Sequence, residues 1–334
     1  QTVQNALMRG VVPEREIISV ETTEFTVDDF TGISDPRGMF GVRLGMRGII
    51  YTGPKTLVHN IRKVVERAGL IVDNLVIAPL AMAHYVLSEG EREFGTVMID
   101  LGAGQTTVSA VRDQQLKFAH TSPEGGDYVT RDISTVLNTS LSEAEDLKLN
   151  YGEASTERAS QEEYFPVDVV GQTDPEEITE YYLSQIIEAR LTQIFSRVKS
   201  DLENTRSLDY PGGIVLLGGA AAMPGTVNLA TKVIGMNARL FVPSEMGLRN
   251  PAFAQVISVV NYVGERTDID RLVLQAITSD GTYVAPAAQY EESVLQPADS
   301  MNYEEANNFY QTEVPTRPAT QVDRMRNMFS NLFD

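Results

Sequence analysis

Thr96-Val-Met-Ile-Asp-Leu-Gly-Ala-Gly-Gln-Thr-Thr-Val108 runs an apolar strand into a turn of small residues and places one aspartate at the junction. Thr96 to Ile99 suit a strand covered on both faces, and Asp100 stops that run with a single carboxylate. Gly102, Ala103 and Gly104 leave backbone N–H groups uncovered, so the turn can hold a phosphate in a nest of amides. An ordinary Gly-containing hairpin turn fits the same residues. The rest of the chain has to separate the two.

The pattern occurs twice. Gly213-Ile-Val-Leu-Leu217 is a second buried strand and ends in Gly218-Gly-Ala-Ala-Ala-Met-Pro-Gly225. Two apolar strands that each deliver a small-residue turn are how a two-lobed α/β protein closes on a nucleotide from either side. Neither turn carries GxxxxGK[ST], which excludes a P-loop. Between them lie Glu124-Gly-Gly-Asp127, the capping-box spacing Ser140-Leu-Ser-Glu143 and a long helical pattern from Ile178 to Asn204. Glu145 and Lys148 stand three apart on the helix that Ser140 opens; they can reach a ligand together or form a plain surface ion pair.

Toward the N-terminus, Glu16 to Tyr51 alternates in short β-like runs around the turn Ser34-Asp-Pro-Arg-Gly38, which predicts a small sheet module. Thr56 is placed to cap a helix with Leu57, Ile61, Val64, Val65 and Ala68 on one face and Gly69 at its end, and Leu75-Val-Ile-Ala predicts a further strand. Gln1 stands in what reads as the middle of a helix, so the natural N-terminus is expected upstream.

The chain has 334 residues, 42% of them hydrophobic and 22% charged, as expected of a globular protein with a sizeable core. A formal charge of −19 with scattered Lys and Arg excludes nucleic acid as a partner. Without cysteine there is neither a disulfide framework nor a thiolate zinc site, and His59, His84 and His120 have no metal-ligand spacing. No apolar run approaches the ~20 residues of a membrane span, and no signal-peptide pattern opens the chain.

From Glu265 the composition shifts. Between Leu272 and Thr316 there are seven acidic residues and no Lys or Arg, which predicts a disordered linker. The last segment turns sharply amphipathic: Val322, Met325, Met328, Phe329, Leu332 and Phe333 fall within an arc of about 140° on a helical wheel. A short helix at the end of such a linker needs a surface, and a membrane interface with Arg324 and Arg326 near lipid phosphates suits it; folding back onto the globular part is the other option. Weak anchors of this kind become firm when many are held together.

In motif order the chain resembles the FtsA family of bacterial cell-division proteins, in the actin, Hsp70 and sugar-kinase superfamily. The resemblance rests on Pro13-Glu-Arg-Glu-Ile17, Asp35-Pro-Arg-Gly-Met39 with Gly41-Val-Arg-Leu44, Val65-Glu-Arg-Ala-Gly69, Asp100-Leu-Gly-Ala-Gly-Gln-Thr-Thr107, Gly125-Gly-Asp127, Gly218-Gly219 and the terminal helix. Its flavour is similar to that of Gram-positive lactic-acid bacteria or streptococci. The resemblance implies an α/β, actin-like (ribonuclease H-like) two-lobed fold, N-terminally incomplete. Residues 1–52 would form part of the family's inserted subdomain 1C, 53–94 the remainder of lobe 1 (1A), and 95–264 lobe 2 (2A) with a 2B insert at about 138–210. Residues 265–320 would be the disordered acidic linker and 321–334 the amphipathic membrane-targeting helix.

The same resemblance implies ATP and Mg²⁺ as ligands. Asp100, Gly102, Ala103, Gly104, Gln105 and Thr106 match the second phosphate loop, with Asp100 near the metal through water. Gly125, Gly126 and Asp127 follow it, Glu145 and Lys148 border the ribose and adenine, and Gly218, Gly219 and Ala220 form the adenosine loop. The first phosphate loop has no counterpart among these residues, and without it a triphosphate loses charge-assisted contacts of roughly 1.5–3 kcal/mol each. As partners the resemblance implies copies of the chain in a filament, the FtsZ C-terminal peptide, the cytoplasmic membrane surface at the division septum and later division proteins. Arg190, Arg197 and Lys199 are the candidate peptide contacts, with ordinary solvated helix charges as the alternative. At most a slow ATPase is expected. A sugar-kinase-like phosphotransferase would need a catalytic base at a sugar pocket, an Hsp70-like chaperone a β-rich peptide-binding domain, and neither is legible here.

Overall fold

The computed structural model describes residue 12 and residues 14–278, with side chains through residue 274. The alternating N-terminal runs form an antiparallel sheet of β1 (Arg15–Val27), β2 (Phe30–Ile33) and β3 (Leu44–Pro54) in the order β2-β1-β3. The long ladder pairs Arg15 with Pro54 and Val27 with Leu44, and Val20, Phe25 and Val27 are buried. Asp35 accepts the Arg37 N–H at 2.9 Å and fixes the turn, while Asp28 receives the N–H groups of Val42 and Arg43 at 3.0 and 2.7 Å.

β3 runs straight into α1 (Lys55–Arg67), so Thr56 is not its cap. Pro54 holds that position, and its ring has no atom that could accept a cap bond; the Lys55 N–H is satisfied instead by Glu14 O at 3.0 Å. Gly69 ends the helix at φ +78°, as its sequence position predicts. The apolar face does not: Leu57, Ile61 and Val64 are exposed, and Val58 is the residue α1 buries. Leu75 to Ala78 forms no strand, since no strand among the described residues offers it a ladder; the chain passes through extended Ile77 into α2 (Ala78–Val86), with Pro79 in the first turn. Ser88 and Glu91 then close a full capping box on α3 (Glu89–Phe94).

The central sheet has five strands in the order β10-β9-β4-β5-β6. β4 (Thr96–Leu101), β5 (Thr106–Arg112) and β6 (Gln115–Ser122) are successive antiparallel strands, and β9 (Ile214–Leu217) and β10 (Ala238–Leu240) add in parallel to β4. β4 is apolar from Val97 to Ile99 because helices cover both sides of it. Val97, Ile99 and Leu216 meet Ile133 of α4 (Gly126–Leu137), Leu147 of α5 (Leu141–Tyr151), Ile187 of α6 (Glu180–Thr205) and Leu229 of α7 (Thr226–Ile234). On the other face Met98, Val215 and Leu217 meet Met82 and Val86 of α2 and Ala254 of α8 (Ala254–Gly264). The helices on either side of residue 95 thus share one sheet. β7 (Tyr164–Val167) and β8 (Glu176–Thr179) form a separate hairpin before α6.

Residues 268–278, expected to belong to the linker, form a helix instead. Thr267 caps α9 (Asp268–Thr278) through a reciprocal pair with Asp270, and Val273 is buried against Val20 of β1. Residues 279–320 and the segment expected to form the terminal helix, with Val322, Met325, Met328, Phe329, Leu332 and Phe333, lie outside the described residues.

Candidate nucleotide cleft

The β4–β5 turn is a loop with donors to spare. Gly102 N–H closes it onto Gln105 O at 3.0 Å, whereas the N–H groups of exposed Ala103, Gly104 and Gln105 make no bond among the described residues. Asp100 sits at the strand end, and burial pushes its carboxyl above the usual carboxylate range. A partly buried carboxylate in that state favours a cation or cation-bound water beside it.

Three of the expected site residues hold the loop rather than extend it. Gly126 and Asp127 donate their N–H groups to Gly102 O and Ala103 O at 2.9 Å each, and Thr106 donates its hydroxyl to Glu124 O at 2.6 Å. Gly125 must be glycine, because a Cβ there would stand 2.5 Å from the carbonyl oxygens of both Gly102 and Ala103. Gly218 is as constrained: its φ is +91°, and a Cβ would meet Leu101 O at 2.4 Å and Asp100 Oδ1 at 2.5 Å. Both strand-end turns therefore pack backbone against backbone beside Asp100.

Glu145 and Lys148 form more than a surface pair. Lys148 is buried, and its ammonium donates to Glu145 Oε2 at 2.7 Å, to Thr130 Oγ1 at 2.8 Å and to Gly126 O at 3.3 Å. Partial burial raises the Glu145 pKa, but the hydrogen bonds from Lys148 and Thr130 outweigh it and hold the carboxyl below its ordinary value. Ser140 caps this helix by accepting the Glu143 N–H at 3.1 Å, as the spacing predicts.

These elements enclose a cleft of about 390 Å³ lined by Ala103, Gly126, Glu145, Lys148, Gly219 and Ala220 from the expected set. Its wall is completed by Leu149, Gly152, Met223, Asn250 and Ala252, which sequence reasoning missed. Asn250 caps a one-turn helix at Pro251–Phe253, and Pro251 O accepts the Gly218 N–H at 3.2 Å, so a distant turn is tied to the Gly218 turn. The Asn250-Pro251 dipeptide was its legible signal. Another cleft of about 330 Å³, between β1 and α8–α9, is lined by Glu21, His84, Tyr262 and Arg266 and has no glycine in its lining. Among the described residues, the cleft between the two turns has the chemistry of a nucleotide site: exposed amides at its Ala103 edge, close-packed glycines and a buried cation, with Asp100 packed against Gly218 beside it.

Of the three candidate peptide cations, Arg190 and Arg197 share a face of α6 near Glu124, and Lys199 does not. Arg190 binds Asp132 at two points, 2.5 and 2.8 Å, and lies over the Tyr128 ring. Arg197 pairs with Glu124. Lys199 is turned about 180° from Arg190 on the helix and donates to Val233 O at 3.2 Å.

The sequence model described as "Cell division protein FtsA" matches residues 97–258, and that of the "SHS2 domain inserted in FTSA" matches residues 1–52. Curated relatives include the cell division protein FtsA of Enterococcus hirae, 49% identical over 98% of this chain and 74% of its own length. That of Streptococcus pneumoniae is 48% identical over 99% of this chain and 76% of its own. Among solved structures, MreB5 of Spiroplasma citri bound to AMPPNP is similar at 15% identity, with a TM-score of 0.53 over 64% of this chain and 66% of that one. The likeness shows an actin-like fold. With close sequence relatives along nearly its whole length and the inserted SHS2 domain in place, the chain belongs to the FtsA family of cell-division proteins.

Proposed function

We propose that the protein is an actin-like, ATP-binding membrane tether that holds the FtsZ filament to the cytoplasmic side of the membrane at the septum and recruits later division proteins. The observation that carries the nucleotide part is the convergence of the 102–106 turn, the 218–220 turn and buried Lys148 on one cleft. The free amides of Ala103 to Gln105 would face phosphate, Asp100 would hold water on Mg²⁺, and Glu145 and Lys148 would border the sugar and base. ATP supplies a conformational ligand, hydrolysed slowly at most. The MreB5 relative of this fold is bound to AMPPNP, in keeping with that reading.

The rest follows from the family and the sequence. Copies of the chain assemble into a filament through the small β1–β3 sheet. The acidic stretch acts as a leash, and many terminal helices insert together. The FtsZ peptide docks on the 138–210 region, where all three candidate cations already have partners and Arg197, paired with Glu124, is the half-exposed one. Vesicle co-sedimentation of FtsZ filaments tests the tether. The intact chain should carry FtsZ down with vesicles, and a chain ending at Thr320 should leave it in solution; equal behaviour of the two overturns the anchor.

A further inference from the structure

The segment between β6 and α4 grips the 102–106 turn from behind. Thr106 Oγ1 donates to Glu124 O, the N–H groups of Gly126 and Asp127 bind Gly102 O and Ala103 O, and Gly125 is pressed against both carbonyls. Whatever fixes Glu124 therefore fixes the turn. The Glu124 side chain is 13% exposed, its Oε1 accepts from Arg197 Nη1, and its Oε2 is buried with no hydrogen-bond partner. Arg190 also faces Glu124, but both oxygens of Asp132 already hold its guanidinium. A largely buried carboxylate thus depends on one half-exposed cation from α6, and a charge left unpaired in such a place is costly.

We propose that Arg197 is a positioning residue for the nucleotide: acting through Glu124, it sets the placement of the 102–106 turn without touching the ligand. The inference rests on reading that turn as a phosphate loop. Without Arg197, Glu124 reaches for water, drags its own carbonyl from Thr106, and shifts the amides that clamp Gly102 and Ala103. The turn then no longer presents its donors in a fixed array, and binding loses its preorganisation. Glutamine at position 124 keeps the shape and removes the charge, so it should make Arg197 dispensable.

Hydrogen exchange and MgADP titration on the full 334-residue chain test this with R197A, R197K, E124Q and E124Q/R197A. In R197A, exchange in peptides covering 102–107 and 125–128 should rise about tenfold and MgADP affinity fall about tenfold, the scale of coupling within one hydrogen-bonded network. Exchange in β9 should stay unchanged, R197K should restore the loop in part, and adding R197A to E124Q should change little. Unchanged loop exchange in R197A overturns the proposal, as does a uniform rise across the sheet or an equal effect of R197A in the E124Q background. If R197A does not fold, a folded E124Q/R197A chain with a protected turn supports the pairing, and an unprotected turn overturns it. A wild-type chain that binds no MgADP refutes the nucleotide reading alone, because the exchange arm still decides the role of Arg197.

Discussion

Lys148 Nζ stands 2.7 Å from Glu145 Oε2, and of the two it is the lysine that is buried, with 8% of its side chain exposed against 41% for the glutamate. Breaking the pair is therefore asymmetric. Lys148→Met leaves a carboxylate that water can reach. Glu145→Ala leaves a buried ammonium with Thr130 and Gly126 O as its remaining acceptors. We expect Lys148→Met to cost about 1–3 kcal/mol and Glu145→Ala to cost more, read by urea unfolding at neutral pH.

The lowered pKa of Glu145 fixes a pH dependence. A carboxyl held below its ordinary value of 4.5 contributes stability that is present above that value and is lost as pH falls through the folded-state one. The stability gap between wild type and Glu145→Gln should therefore shrink on acidification below pH 4.5. Unfolding curves from neutral pH into the acid range check it.

Asp100 has the opposite sign. Burial raises its pKa above 3.8, so its contribution is complete below that value and is lost as pH rises through the folded-state one. Asp100→Asn should stabilise the ligand-free chain at neutral pH, and the advantage should vanish below pH 3.8. With MgADP present the order should reverse at neutral pH, since only the carboxylate can attract the metal's water shell. Thermal unfolding with and without MgADP reads both.

Two neighbouring glycines give a controlled comparison. Gly218→Ala forces a Cβ into Leu101 O and Asp100 Oδ1 at a φ of +91°, whereas a Cβ on Gly219 would meet Ala252 Cβ at an ordinary 3.5 Å. Gly218→Ala should cost about 1–3 kcal/mol of backbone strain and abolish nucleotide binding. Gly219→Ala should fold normally, and calorimetry on both variants separates the two outcomes.

The sequence disclosed what is local. The strand-turn units at Asp100 and Gly218, the Ser140 cap and the extent of α6 follow from periodicity and small-residue punctuation, and the structure has them there. It could not disclose what depends on distant partners. Lys148 looks like a surface lysine until Gly126 and Thr130 are seen to enclose it, and Arg190 looks like a free cation until Asp132, 58 residues away, binds it. Asn250 and Ala252 join the cleft through one hydrogen bond to Gly218. The α1 periodicity marks an apolar face correctly, but periodicity does not say whether anything covers it.

The order of strands in the central sheet also sets a timetable. β4, β5 and β6 are consecutive hairpins, while β9 reaches β4 only after more than a hundred intervening residues have been gathered, as the pairing of Val97 with Ile214 requires. Closing so long a loop carries the larger entropic cost and comes late. The 102–106 turn can thus form early on its own hairpin, whereas Gly218 arrives beside Asp100 only with the last strands. Nucleotide affinity in a refolding chain would then appear at the end of the reaction, as a report that the sheet has closed.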